Sequence, residues 1–293
     1  MAGVTLCEPT ELYNLLNQST KISRLAEPNY LCLLDARTKR EYNESHLMTA
    51  LRVKTNPLGK YLVPESINLE CVRYCVVYDG KTETVDAAFD MDYDLLEIVG
   101  DNVLALIMQR LTRFPVMVLR GGYERFTTSY HYLRTQKIFW MPQELEAFKT
   151  YPVEILPAKL YMGNYKQACD SQIQKDLKIK AHINICEEDG IFFLEDREKL
   201  LHIPIPDSLE ADLFSHFIHI IQCKSSVPPR CLGLFSNIFP APDLLYLSSQ
   251  NAWNFAQKCK NNIRPNRAFV KQLSDWEQRF YITAITDISE PNY

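Results

Sequence analysis

The sequence predicts an α/β protein with two domains, and three observations support this fold class. The chain has 293 residues, which is enough for two domains of ordinary size. In both halves, apolar runs of strand length alternate with amphipathic helical patterns, as in mainly parallel sheets flanked by helices. A mixed stretch punctuated by Pro142 and Pro152 separates the halves. The predicted parts are a first domain at 1–135, a linker at 136–151, a second domain at 152–284 and a tail at 285–293.

Composition and charge narrow the class of protein. The chain is 46% hydrophobic and 23% charged, which is typical of a soluble globular protein, and its formal net charge of −4 argues against nucleic acid as the main ligand. No apolar run is long enough to span a bilayer, and the first residues lack a signal or transit pattern, so we expect a cytoplasmic protein without membrane insertion. The nine cysteines show no disulfide spacing and mostly sit in apolar runs, which predicts reduced, buried thiols. Examples are Cys32, Cys75, Cys186 and Cys231.

The first half contains a charged cluster directly after a predicted strand. The predicted elements are a helix at 10–18, strands at 30–34, near Val53, at 71–78 and at 116–119, and a helix at 93–111. The charged cluster follows strand 30–34 and consists of Asp35, Arg37, Glu41, Tyr42 and His46. This spacing and the Leu-Arg-Gly-Gly-Tyr run at 119–123 resemble the rhodanese family over most of residues 8–134. The resemblance implies that the cluster braces a turn and has no catalytic role.

Asp79 occupies the position where a working rhodanese carries its sulfur-accepting cysteine. That cysteine follows the strand that ends here at Tyr78, and a ring of backbone N–H groups lowers its pKa. A carboxylate cannot accept a sulfane sulfur, and it repels an anion from such a ring. We therefore expect a catalytically silent rhodanese-like domain.

A sparse group of basic residues is the candidate partner-binding surface of this domain. The run Val-Val-Tyr-Asp-Gly at 76–80 also resembles the silent rhodanese modules of MAP-kinase phosphatases, which bind kinases through a basic cluster. The candidates here are Arg52, Lys54 and Lys60. An ordinary solvated surface is the alternative interpretation.

The second half predicts a second α/β domain. The predicted elements are two short strands within 155–163, a helix at 165–177, strands at 181–185, 201–205 and 231–235, and helices at 209–222, 249–260 and 266–281. The helix at 209–222 is expected to bury a stripe of apolar side chains. That stripe comprises Leu213, Phe214, Phe217, Ile218 and Ile221.

Three separated motifs resemble the dual-specificity phosphatase domain. Ile155-Leu-Pro with Leu160-Tyr-Met-Gly resembles its entry, Ile-Pro-Ile-Pro-Asp at 203–207 its general-acid loop, and the stretch 265–277 its final helix. By this resemblance Asp207 stands at the general-acid position. That acid protonates the leaving oxygen in such enzymes.

The nucleophile loop of that family, Cys-x5-Arg, is missing. None of the nine cysteines has an arginine six residues later, and Ser236 stands where the thiolate is expected, preceded by Phe235. Pro240 and Pro242 remove backbone N–H donors from the stretch that follows. A serine hydroxyl is a poor nucleophile without an activating base.

The combination resembles the serine/threonine/tyrosine-interacting-like pseudophosphatases. The chain departs from their pattern after Ser236, where glycine and arginine are absent and the segment up to Trp253 is shortened, so we expect a truncated second domain. The implied function is a catalytically inactive signalling adaptor that needs no cofactor and binds kinases, phosphatases or phosphoproteins. An active sulfurtransferase, or a phosphatase with a non-standard nucleophile, is the alternative.

One further pattern resembles a metal site. Asp212, His216, His219 and Cys223 follow one another at three- or four-residue spacing, which places them on one helix face and fits zinc ligands. We favour the interpretation that they form the polar face opposite the apolar stripe. No metal is therefore predicted.

Overall fold

The computed structural model describes residues 3–58, 61–62, 67–84, 101–139, 141–188, 200–220, 231–234, 249–264 and 266–281. The chain divides into two compact units, unit 1 at Met1–Lys149 and unit 2 at Thr150–Tyr293. Both are mixed α/β and each contains a five-stranded, mainly parallel sheet, so the predicted fold class is confirmed. Within the described residues, no helix is both long and apolar enough to cross a membrane.

Unit 1 is built on a parallel sheet with strand order β1-β8-β7-β2-β4. Two further pairs of short strands, β3 with β9 and β5 with β6, are antiparallel. The strands are β1 (Thr5–Cys7), β2 (Leu31–Asp35), β3 (His46–Leu47), β4 (Leu51–Arg52), β5 (Lys54–Thr55), β6 (Tyr61–Leu62), β7 (Tyr74–Tyr78), β8 (Val116–Leu119) and β9 (Arg134–Thr135). The helices are α1 (Pro9–Leu16), α2 (Lys39–Glu44), α3 (Asp101–Gln109), α4 (Gly122–Ser129) and α5 (Pro142–Glu146).

The apolar runs seen in the sequence form the centre of unit 1. β2 and β7 are buried over nearly their whole length, as expected for parallel strands covered on both faces. Leu104 and Met108 of α3 pack on this sheet and are fully buried. α2 starts at a capping box in which Thr38 accepts from the Glu41 N–H and the Glu41 carboxylate accepts from the Thr38 N–H.

Several sequence predictions for unit 1 need correction. Strand β1 and helix α4 were not predicted: β1 is only three residues long, and α4 begins directly after the left-handed Gly121. Cys71 does not belong to a strand but ends a 3₁₀ turn at Leu69–Cys71, and its side chain is exposed. Of the predicted helix at 93–111, the structure has α3, and residues 93–100 lie outside the described residues.

Unit 2 contains a second five-stranded sheet with order β10-β11-β14-β12-β13. β10 is antiparallel to β11, and the other pairs are parallel. The strands are β10 (Val153–Leu156), β11 (Leu160–Met162), β12 (Ala181–Asn184), β13 (Leu200–His202) and β14 (Cys231–Leu234). The helices are α6 (Tyr165–Ala168), α7 (Ser171–Leu177), α8 (Ser249–Cys259) and α9 (Arg267–Tyr281).

The predicted single helix at 165–177 is two helices. Asp170 lies between them and accepts hydrogen bonds from the backbone N–H groups of Gln172 (2.9 Å) and Ile173 (3.1 Å). An aspartate in this position is a helix N-cap, so it begins α7 instead of continuing α6.

The predicted helix at 209–222 begins later than expected. Helical structure starts with a 3₁₀ turn at Phe214–His216, where Asp212 Oδ1 accepts from the Ser215 N–H (3.2 Å). The buried positions are Leu213, Phe217 and Ile220, whereas Ile218 is 56% exposed, so its assignment to the buried stripe was wrong. Ile221 lies outside the described residues.

The cysteine prediction is correct only in part. Cys7, Cys32 and Cys75 are buried free thiols, but Cys169, Cys186 and Cys259 are half-buried and Cys71 is exposed. Cys186 is accessible because β12 ends before it, at Asn184, so its side chain lies in the turn and not in the sheet.

Candidate functional site

In unit 1 the candidate site is the loop that follows the central strand β7. Asp79 comes directly after this strand, and its carboxylate is held by the loop itself. Oδ1 accepts from the backbone N–H groups of Lys81 and Thr82 (both 2.8 Å), and Oδ2 accepts from the Thr82 hydroxyl (2.8 Å). Backbone N–H groups that face inward in such a loop are what binds an anion. Here the side chain of Asp79 is the anion.

The first turn of α4 is also engaged by this loop. In general, the N–H groups in the first turn of a helix have no partner within the helix, and in many proteins they bind an anion. The Tyr123 N–H donates to the Asp79 carbonyl (2.7 Å), and the Glu124 N–H donates to the Gly80 carbonyl (3.1 Å). The Gly121 N–H donates to the Thr82 carbonyl (2.6 Å). These donors therefore bind the protein's own backbone.

Gly122 makes this close approach feasible. Its φ is +54°, and a Cβ added there would lie 2.6 Å from both Asp79 Oδ1 and the Gly80 carbonyl carbon. No real Cβ tolerates such a distance to backbone, and a positive φ strains other residues. The glycine pair seen in the sequence is thus explained by the contact between loop and helix.

A buried ion pair lies next to the loop, at the neighbouring ends of β2 and β7. The Asp35 side chain is 0% exposed and accepts from Arg37 Nη2 (2.6 Å), from Arg37 Nε and from the Arg37 N–H. Tyr78, the residue before Asp79, donates its hydroxyl to Asp35 Oδ2 (2.6 Å). Burial and the neighbouring Asp35 carboxylate raise the pKa of Tyr78, so the hydroxyl remains a donor. The Arg37 guanidinium lies 3.7 Å from the ring centre of Tyr123 in α4.

The remaining residues of the predicted charged cluster, Glu41, Tyr42 and His46, make contacts in and just after helix α2. His46 and Tyr42 stack with ring centres 4.0 Å apart. The Tyr42 hydroxyl donates to the Ala50 carbonyl (2.8 Å), and Glu41 completes the cap of α2 described above. The structure therefore places this cluster in a bracing role.

The basic candidates lie at the edge of the sheet. Arg52 ends β4, the outermost strand on this side, and is half-buried, whereas Lys54 is exposed and pairs in register with Leu62. Two apolar side chains beside them are exposed, Leu58 (84%) and Leu62 (47%). Lys60 lies outside the described residues.

In unit 2 the candidate site is the carboxyl end of the central strand β14. Ser236 and the residues up to 248 lie outside the described residues. The neighbouring strand β12 ends in register with β14, Asn184 opposite Leu234. The turn after β12 is therefore the described part of the chain that lies beside the start of the predicted nucleophile loop.

Asn184 organises that turn. It is fully buried, donates its amide to the Glu188 carbonyl (2.9 Å) and accepts from the Cys186 thiol (2.8 Å). His202 Nε2 donates to the Cys186 carbonyl (2.9 Å). Two side chains from neighbouring strands, Asn184 and His202, thus fix the turn.

Asp207 is exposed and is held by helix α9. Its Oδ1 accepts from the Asn266 side-chain amide (3.0 Å). The Asn266 side-chain oxygen in turn accepts from the Ala268 N–H (2.9 Å), so Asn266 is also the N-cap of α9. Asn266 lies in the stretch 265–277 that resembles the final helix, but its capping role was not predicted. An asparagine directly before a helix is the signal that could have revealed it.

The metal hypothesis has no support in the part of the chain that is described. There, no group of three or more histidine, cysteine or acidic side chains is placed to hold an ion. Asp212 caps the turn at Phe214–His216, and hydrogen bonds from Ser215 lower the pKa of its carboxyl group. Cys223 lies outside the described residues.

Comparison with known proteins finds relatives that are named dual specificity protein phosphatases. No family model matches the chain. Dual specificity protein phosphatase 4 of Gallus gallus is 24% identical over 301 residues, covering 86% of this chain and 77% of the relative. A probable rhodanese domain-containing dual specificity protein phosphatase of Dictyostelium discoideum is 21% identical, covering 92% of this chain and 68% of the relative.

A solved structure is also similar to part of the chain. The crystal structure of human DUSP28 aligns with a TM-score of 0.40 at 17% identity, covering 46% of this chain and 97% of that protein. The chain is therefore similar in sequence to dual-specificity protein phosphatases over most of its length, and one of these relatives is described as rhodanese domain-containing.

Proposed function

We propose that this chain is a pseudophosphatase, a dual-specificity phosphatase homologue that binds signalling proteins without catalysing phosphate or sulfur transfer. Unit 1 contacts a partner, and unit 2 presents a phosphatase-like surface. Both candidate nucleophile positions carry residues unsuited to the reaction, Asp79 in unit 1 and Ser236 in unit 2.

The observation that carries the proposal is the filled loop of unit 1. Sulfur transfer needs a thiolate, and its negative charge must be stabilised by surrounding N–H groups. Asp79 supplies no thiol, and its carboxylate already accepts from Lys81, Thr82 and the Thr82 hydroxyl. A substrate anion entering this loop would meet a like charge and occupied donors.

In unit 2 the support comes from the sequence. Phosphate transfer in this fold needs a thiolate and an arginine that grips two phosphate oxygens. The residue six positions after Ser236 is Pro242, and no cysteine in the chain has an arginine at that spacing. Asp207 would then have no leaving group to protonate, and its hydrogen bond to Asn266 is a structural contact.

The catalytic part of the proposal is tested by two assays on the purified full chain. We expect no turnover of thiosulfate with cyanide and no turnover of an aryl phosphate above the buffer rate. Turnover of either substrate that a single Cys→Ser substitution abolishes would establish the alternative, an enzyme with a non-standard nucleophile.

The partner surface of unit 1 combines positive charge with exposed apolar side chains. Arg52 ends β4 and Lys54 begins β5, and the exposed apolar residues nearby are Leu62 in β6, opposite Lys54, and Leu58, three residues after β5. Such a surface suits a partner that offers carboxylates beside an apolar groove. Because the run at 76–80 resembles the silent rhodanese modules of MAP-kinase phosphatases, which bind kinases, we propose a MAP kinase as the partner.

Binding of a purified MAP kinase to the full chain, measured by calorimetry, tests this surface. Arg52→Ala/Lys54→Ala should weaken binding at least roughly tenfold, because charge pairs at an interface contribute on the order of 1 to 3 kcal/mol each. The matched control is Lys39→Ala/Arg40→Ala, which removes the same charge from the exposed helix α2. Equal affinity of the two double variants, or no binding by the wild type, would contradict the assignment.

A further inference from the structure

Helix α9 holds the segment 207–214 through polar side chains at its beginning. Asn266, at the N-cap, donates to the Asp207 carboxylate and accepts from the Ala268 N–H. One amide therefore joins the start of the segment to the start of the helix. The bond to the Ala268 N–H orients the Asn266 amide so that its nitrogen faces the Asp207 carboxylate.

Gln272 holds the other end of the segment with three hydrogen bonds. Its Oε1 accepts from the N–H groups of Leu213 (2.7 Å) and Phe214 (2.8 Å), and its Nε2 donates to the Ala211 carbonyl (2.7 Å). These N–H groups belong to the first turn of the helix that starts at Phe214, where no partner exists within the helix. Gln272 therefore supplies the hydrogen-bond partners of these backbone groups, and two of the three residues, Ala211 and Leu213, are buried.

Two more side chains on the same face of α9 cover the end of the segment. Trp276 packs edge-to-face on Phe214 (5.6 Å between ring centres) and on Phe217 (5.3 Å). The Arg279 guanidinium lies 4.3 Å from the ring centre of Phe214. Gln272, Trp276 and Arg279 are spaced by four and three residues, so they project from one face of the helix.

We infer that α9 fixes the segment 207–214 in one position, so that it serves as a static surface and not as a mobile lid. In enzymes that use a general-acid loop, the loop commonly closes over the substrate and opens again. Here the Asp207 carboxylate, at the general-acid position, is hydrogen-bonded to Asn266 at the N-cap of α9. The Leu213 backbone is hydrogen-bonded to Gln272 of the same helix. This inference goes beyond the proposed function, because it concerns how the segment is held and applies with or without catalysis.

The fixed segment forms one wall of an open groove of about 570 Å³. Its lining includes the acidic residues Glu210 and Asp212 from the segment and Asp275 from α9. Since both walls belong to elements joined by Gln272, the groove keeps its shape as long as that residue holds the segment.

Amide hydrogen exchange of the intact chain tests the inference at the atoms concerned. In the wild type, the Leu213 and Phe214 amides should exchange at least roughly 100-fold more slowly than unprotected amides, as expected of stably bonded groups. Gln272→Ala should accelerate both by about tenfold or more, since each loses its acceptor. The Ile203 amide, which donates to the Asn184 carbonyl in the sheet (2.8 Å), should be unchanged.

Two further variants make the outcome decisive. Gln278→Ala removes an exposed glutamine from the same helix and the same groove and should leave all these rates unchanged. Gln272→Glu keeps an acceptor for the two N–H groups and loses the bond to Ala211, so it should retain most of the protection even if Gln272→Ala unfolds. Unprotected Leu213 and Phe214 amides in the wild type would overturn the inference. So would equal acceleration of Ile203 and Leu213 in a Gln272→Ala variant that remains folded or, should that variant unfold, loss of Leu213 and Phe214 protection in Gln272→Glu.

Discussion

Each unit buries a titratable side chain on the strand beside the central one of its sheet, and the two side chains differ in charge. In each five-stranded sheet the residue lies on the strand beside the central one, Asp35 on β2 in unit 1 and His182 on β12 in unit 2. Asp35 is fully buried and paired with the Arg37 guanidinium. His182 is 1% exposed, and burial lowers its pKa to about 4, so it is neutral at pH 7.

This difference shows two ways of placing a polar side chain in a sheet. A buried charge is tolerated when an opposite charge and hydrogen-bond donors surround it, and removing one partner then exposes the other to the full cost of burial. A buried neutral imidazole costs less at neutral pH, but it becomes costly when the solution is acidic enough to protonate it. Unit 1 should therefore be sensitive to substitution, and unit 2 to pH.

The largest expected effect is the loss of the Asp35 carboxylate. Asp35→Asn leaves the Arg37 guanidinium buried without a counter-charge, and breaking such a pair typically costs about 3 to 5 kcal/mol of unfolding free energy. The side chain of Arg37 is only 6% exposed, so water cannot replace the carboxylate. Urea unfolding, followed by hydrogen exchange of peptides that contain β2 and β7, measures the cost.

The matched control breaks an ion pair on the surface of the same unit. Glu44→Ala removes the partner of Arg40, and both side chains are largely exposed (63% and 89%). Exposed pairs contribute little to stability, so this change should be nearly silent. If Asp35→Asn destabilises unit 1 no more than Glu44→Ala does, the buried pair has no special importance.

The second prediction concerns the stability of unit 2 in acid. The pKa of His182 is about 4 in the folded protein and about 6.5 when unfolded, so the unfolded state binds the proton more tightly between these values. Stability should be unaffected by His182 above pH 6.5 and should fall as the pH drops towards 4, by up to about 3 kcal/mol. Below pH 4 this contribution no longer changes.

Fluorescence of Trp253 and Trp276, which pack against the core of unit 2, reports its urea unfolding at a series of pH values. A Trp140→Phe background removes the third tryptophan of the chain. His182→Leu should flatten the pH dependence between 6.5 and 4, whereas His219→Gln, at an exposed position, should leave it as in the wild type. An equally steep loss in His182→Leu would assign the effect to other groups.

A smaller effect is expected where the loop of unit 1 meets α4. Gly122→Ala puts a Cβ 2.6 Å from Asp79 Oδ1 and from backbone, at a φ of +54°, and should cost about 1 to 3 kcal/mol. Gly80→Ala is the control, because nothing lies within 4 Å of its added Cβ. Thermal unfolding of the two variants compares them. Similar midpoints would mean that the loop can move away from the helix without loss.

The sequence predicted the strands of both sheets better than the details of the sites, for a physical reason. Continuous apolar runs such as 31–35 and 74–78 encode buried parallel strands locally. The residue at which a helix starts can depend on contacts with residues that are distant in sequence. Helical structure begins at Phe214, where Gln272, about sixty residues later, accepts from the Leu213 and Phe214 N–H groups, and Ile218 is exposed. Periodicity within 209–222 contains no information about that contact.

The same reason explains what was predicted at the candidate sites. Asp79 was recognised as unsuited to catalysis because residue type and position suffice for that conclusion. That its carboxylate fills the loop depends on Thr82 and on the left-handed backbone at Gly121 and Gly122, which only the structure supplies. Asn184 and Asn266 were missed because a buried or capping amide has no distinctive sequence pattern beyond its place at the end of an element.

The smallest expected effect is no effect, and it concerns restoring the missing thiols. Asp79→Cys returns a thiol to unit 1, but the first-turn N–H groups of α4 still donate to the carbonyls of residues 79 and 80. The substitution frees only the Lys81 and Thr82 N–H groups, so a persulfide there has fewer donors than a full ring supplies. Ser236→Cys similarly returns a thiol to unit 2, where position 242 is proline and cannot supply the paired hydrogen bonds that hold phosphate.

We therefore expect thiosulfate and aryl-phosphate turnover by both variants to equal that of the wild type. Aryl-phosphate turnover by Ser236→Cys that Asp207→Asn reduces would show that a phosphate site survives in unit 2, and thiosulfate turnover by Asp79→Cys would show that the unit 1 loop can reopen.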